Sequence, residues 1–153
     1  VDYQVYADGE ALLGWLNGTV QLSAQRAFDS EKFLKQLAGD IQQRLQARNA
    51  EVAHLKMTLS PDASLTGEIA AVNLVRSDFV PELSYHLEEP VPSGQLIVNL
   101  RAEAAPDVLG TAVREGLTAT AKKFPTLKAT LDHWEHFRPG KPTPTHRIPR
   151  LPA

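Results

Sequence analysis

The sequence contains no cysteine. That excludes disulfides, thiolate nucleophiles and cysteine-ligated zinc. It has no apolar run long enough to span a bilayer and no charged-then-apolar leader. A cytoplasmic location without a membrane partner is therefore the expectation. Catalytic signatures are missing as well. There is no G-x-x-x-x-G-K-S/T phosphate loop, and Gly140-Lys141 lacks the upstream glycine and the helix such a loop needs. No G-x-S-x-G elbow and no H-E-x-x-H pair occur. Glu88-Glu89 are neighbours in the chain, whereas acid–base catalysis needs carboxylates facing each other across a cleft. No enzyme activity and no resident cofactor are expected of these residues.

What remains is an ordinary globular composition. The chain has 153 residues, 42% hydrophobic and 22% charged, the size of one domain. Such a chain buries about 68–70% of its unfolded surface and folds without a staple. The net charge is −2, unevenly spread. From Arg138 onward stand four cations (Arg138, Lys141, Arg147, Arg150) and no acid, leaving 12 of the 16 Lys/Arg against all 18 Asp/Glu. Residues 1–137 thus read as an acidic body with a net charge of −6, and residues 138–153 as a basic arm. Prolines at 139, 142, 144, 149 and 152 favour an extended arm. With His146, its cations suit an acidic surface, the body's own or a partner's. The opening at Val1, directly in strand-like sequence, suggests a piece of a longer chain.

Periodicity supplies the elements. Ala11–Ser23 alternates, with Leu12, Gly14, Leu16, Gly18, Val20 and Leu22 on one side. A hairpin at Asp8-Gly9 or Asn17-Gly18, or a short helix capped by Asp8, competes with one long strand. Asp29 can cap a helix reaching Arg48. Phe28 and Phe33 stand at the two staple positions, and Phe33, Leu34, Leu37, Ile41 and Leu45 form one stripe. Asn49 suits a left-handed stop. Glu51–Leu59, Glu68–Arg76 and Gln95–Arg101 read as strands, the first with Ala53, Leu55, Met57 and Leu59 on its inward side, and a short one is hidden around Leu83–Leu87. Pro106 and Asp107 open a second helix, with a stripe from Val108 to Phe124, and Pro125 ends it. Leu127–Phe137 returns as a last strand.

The order is strand, helix, three strands, helix, strand. Each helix has one apolar stripe, so both can cover one face of a mainly antiparallel sheet. This predicts an α+β fold, a two-layer sandwich of ferredoxin-like type with an extra strand. The other face is then open. By parity it carries Trp15, Asn17, Thr19, His54, Lys56, Asn73, Asn99 and Arg101, with Ile97 and Val75 among them. A mixed face of this kind suits contact with another domain or a second copy. Single-stranded nucleic acid is the weaker reading, since the body is acidic and Trp15 is the one aromatic this face would carry. Asp132-His133-x-Glu135-His136 has metal-ligand chemistry for zinc, cobalt or nickel. On a strand, however, His133 and His136 point to opposite faces, so a metal site needs distant help such as His54 or His146.

Four segments resemble the C-terminal region of CobW-like proteins, the P-loop GTPases of cobalamin biosynthesis and metal delivery. They are GWLNGTVQL (Gly14–Leu22), EVAHLKMTL (Glu51–Leu59), IVNLRAEAAP (Ile97–Pro106) and HFRPGKPTPTHR (His136–Arg147). The family's nucleotide-binding and metal-binding motifs do not occur in this sequence, so the resemblance transfers no catalytic residue. It implies an accessory domain of a longer GTPase, or a stand-alone relative, acting by contact with the GTPase domain. The alternative it raises is a metal-binding or metal-delivery module.

Overall fold

A computed structural model describes residues 13–64, 66–76 and 80–139. The elements run β1 (Gly14–Phe28), α1 (Ser30–Ala47), β2 (Glu51–Pro61), β3 (Ala70–Leu74), β4 (Glu82–Tyr85), β5 (Val91–Glu103), α2 (Pro106–Ala121) and β6 (Lys128–Phe137). The sheet order is β4-β3-β2-β5-β1-β6, and every neighbouring pair is antiparallel. Without β3 and β4 the path is β-α-β-β-α-β with order β6-β1-β5-β2, which is the ferredoxin-like arrangement. The β3–β4 pair extends the sheet beyond β2. The short strand expected at Leu83–Leu87 is β4, displaced to Glu82–Tyr85. No helix among the described residues is long and apolar enough to cross a membrane.

Local chemistry starts and stops α1 as its sequence suggests. Asp29 Oδ1 accepts the Lys32 N–H at 3.1 Å, and the Phe28 and Phe33 rings meet edge-to-face at 5.9 Å. At the other end Asn49 turns left-handed, with φ 56°. The Asn49 N–H then reaches Gln46 O and the Ala50 N–H reaches Leu45 O, a paired closure of the last turn. The start of α2 is less complete. Ala105 precedes Pro106 and offers no side-chain acceptor. Ala105→Ser is therefore expected to raise stability by about 1 kcal/mol, read as a higher thermal midpoint. An unchanged midpoint would mean that solvent already satisfies those amides.

Both helices pack on one face of the sheet. α1 lies over β2 and β3 and reaches β4, α2 lies over β1 and β6, and the helices touch each other. Gly116 permits that touch, because a Cβ there would sit 3.1 Å from Asp40 Oδ2 and from Ile41 Cγ1. Arg44 bridges the helices, 2.7 Å from Asp40 and 3.3 Å from Glu115. Its pKa is raised, chiefly by the hydrogen bond to Asp40. The inner face supplies Leu16, Val20, Leu22, Leu55, Met57, Leu59, Leu96, Val98 and Leu100, all buried. Burying such a side chain stabilises by roughly 1.5–3 kcal/mol before chain entropy is counted.

Three details depart from the alternation. β1 runs past Ser23 to Phe28, with its β5 register shifting between those residues. The Gln25 and Arg26 amides in the shifted part donate to Thr126 Oγ1 at 2.9 and 3.2 Å. In β2 the pairing shifts between Val52 and His54, so Val52 is buried and Ala53, expected inside, is exposed. The strand expected at Glu68–Arg76 is shorter, Ala70–Leu74. Ala11 and Leu12, at the start of the first expected strand, lie outside the described residues.

Candidate interaction face of the sheet

Cross-strand register places the open-face residues in rows, because directly opposed residues share a face. One row reads Phe137, Trp15, Arg101, His54 across β6, β1, β5 and β2. The next reads Glu135, Asn17, Asn99, Lys56, Asn73, Glu82. A third reads His133, Thr19, Ile97, Thr58, Ala71. All eight residues expected on this face therefore stand together on the side away from the helices.

The first row is its most distinctive part. The Arg101 guanidinium lies over the Trp15 ring, 5.2 Å from its centroid, and the Phe137 ring stands 6.0 Å from Trp15. Arginine on an aromatic face is attractive through the ring quadrupole. Tyr85, opposite Ala71 on β4, and Phe137, beside Trp15, make this a three-aromatic face where Trp15 alone was expected. Alternation along β6 carried the signal for Phe137, but only the β1–β6 pairing brings its ring to Trp15. The second row is rich in amides. Asn73 Nδ2 donates to Ser84 Oγ at 2.9 Å, while Asn17 and Asn99 face each other in the register. In these rows Lys56 and Arg101 are balanced by Glu135 and Glu82. Ile97 is 36% exposed within this polar setting.

The histidines do not converge. His133 is on the open face, paired with Thr19 and 3.9 Å from Glu135. His136 lies on the helix side, where a Cβ on Gly110 would sit 2.9 Å from its Cδ2. The separation expected from alternation is thus present. His54 stands on β2, three strand spacings from β6, roughly 14 Å across the sheet. No group of three His, Cys, Asp or Glu among the described residues could hold a metal ion together. Of the arm, Arg138 is described and exposed, while Lys141, His146, Arg147 and Arg150 lie outside the described residues.

On the helix side a second surface appears that the sequence did not suggest. An open groove of about 380 Å³ runs between α2 and β6. Leu117, Ala121, Ala129 and Leu131 line it, and Arg114 and Lys122 stand on its rim. Arg114 lies over the Trp134 ring at 5.7 Å. Compared with models of known protein families, with curated proteins and with solved structures, the chain finds no match.

Proposed function

We propose that this domain is a non-catalytic interaction or regulatory module that docks through its open sheet face, assisted by the C-terminal arm. The observation that carries the reading is the Phe137–Trp15–Arg101 row. It sets aromatic and arginine side chains at one end of an amide-rich, charge-balanced surface. Tryptophan and arginine are the residue types most enriched where protein partners bind tightly. The surrounding amides can pair with a partner without the cost of burying charge. The partner is a P-loop GTPase domain, in keeping with the CobW-like resemblance, or a second copy of this chain.

Light scattering tests both versions, on the protein alone and on an equimolar mixture with a purified CobW-like GTPase domain. A mass increase is expected in at least one. The Trp15→Ala, Arg101→Glu pair should weaken that association at least thirtyfold, since one hot-spot side chain is worth about 2 kcal/mol. A strict monomer at high concentration, with no heavier species in the mixture, would overturn the proposal.

A further inference from the structure

The two edges of the sheet differ. β4 has four residues and carries Glu82, a short charged edge of the kind that resists pairing. β6 has ten residues and, among the described residues, is paired on one side only, with β1. Its pairing with β1 is regular from Lys128 to Leu131, then shifts before His133. The first part of β6 is therefore a flat edge whose outward backbone groups have no strand partner among the described residues. The α2–β6 groove opens beside that same stretch. Ala129 and Leu131 form its strand wall, and Leu131 is 39% exposed. Across the groove, Arg114, Thr118 and Lys122 recur every fourth residue and so form one line along α2 and its C-terminal cap. Neither Arg114 nor Lys122 has an ion pair among the described residues, whereas Arg44 nearby is held by Asp40 and Glu115.

We propose that this edge receives an extended segment of a partner protein, added antiparallel or parallel to Lys128–Leu131 as a seventh strand. Main-chain hydrogen bonds to β6 supply affinity, and alternate side chains supply specificity. The chemistry of the groove defines those side chains. Apolar residues fit against Leu117, Ala129 and Leu131. Carboxylates fit the cations at 114 and 122, neither of which has an ion pair among the described residues. The partner segment is thus acidic and apolar, in strand conformation. This surface is on the opposite layer from the Trp15–Arg101 row, so the two proposals stand or fall separately.

The test uses the full chain and a fluorescein-labelled nonapeptide alternating Asp or Glu with Val or Leu, read by anisotropy. Saturable binding is expected, with every second amide from Lys128 to Leu131 gaining protection from hydrogen exchange. Lys122→Glu, an exposed change, should weaken binding at least tenfold, and Leu131→Asp by a similar factor. Methylating alternate backbone nitrogens of the peptide should abolish binding in one phase and spare it in the other, because only one set of amides faces β6. No binding at millimolar peptide overturns the proposal, as does equal binding of a Lys-substituted peptide. Protection of these β6 amides in the protein alone also overturns it, assigning the edge to a second copy if it depends on concentration and to the chain's own segments if it does not.

Discussion

Replacing Phe33 by alanine is expected to remove about 3–5 kcal/mol of stability. The ring is fully buried, at the point where the β1–α1 junction meets the α2–β6 connection. Phe28 closes β1, Phe33 opens α1, and Phe124 lies between α2 and β6. Their centroids are 5.9, 5.4 and 6.2 Å apart and all three pairs are edge-to-face, the arrangement ring quadrupoles prefer. Truncating Phe33 removes its own transfer energy, breaks both of its ring pairs and leaves a cavity that two helices and a sheet cannot readily close. A domain of this size has about 5–15 kcal/mol in total. The urea midpoint should therefore fall by about a fifth or more at unchanged slope. Phe33→Leu should cost much less, about 1–1.5 kcal/mol, because most of the volume is kept. A loss below 1 kcal/mol for the alanine variant would show that the three-ring cluster does not anchor the layers.

Gly18→Val sets two effects against each other. Valine favours strands over glycine, by an amount within the ~1 kcal/mol span of strand propensity. A Cβ at position 18, however, would lie 2.5 and 2.6 Å from Cε3 and Cζ3 of Trp134. Overpacking of this kind costs typically 1–3 kcal/mol, so packing wins and the variant is expected to be destabilised. The indole can yield only by leaving its place against the core and beneath Arg114. Trp134→Ala in the same chain removes the clash, so the double variant should lose less than the sum of the singles, by about 1–2 kcal/mol. In a Trp15→Phe background, Gly18→Val should also shift the emission of Trp134 to the red as the ring meets water. Additive losses with unchanged emission would refute this account.

How far the site was legible follows from the range of each signal. Trp15, Asn17, Thr19, His54, Lys56, Asn73, Asn99 and Arg101 were placed on one face because strand alternation is local: a pleated backbone sends successive side chains to opposite sides whatever its neighbours are. The same rule separated His133 from His136. It failed at Ala53, where a register shift, set by the partner strand, exchanged the inward residue. It also had no access to the pairing of Phe137 with Trp15. Those residues are far apart in the chain, and their contact depends on which strand β6 joins. The α2–β6 groove was hidden for the same reason, since neither of its walls is unusual alone.

The sequence by itself determined that these segments are strands and helices, to within a few residues, where α1 starts and stops, and, except around Ala53, which side of the long strands faces the core. Each of these follows from interactions within a turn or two of the chain. The tertiary structure alone decided that β3 and β4 extend the sheet beyond β2, which residues stand opposite each other, and where the registers shift. Hydrogen-bonding between strands is chemically alike for every pairing, so the choice among pairings rests on the joint burial of Phe28, Phe33 and Phe124 and of the inner sheet face beneath two helices. That choice produced both surfaces: an open face with Trp15, Arg101 and Phe137 side by side, and a long edge beside an apolar groove whose cations Arg114 and Lys122 have no ion pair among the described residues.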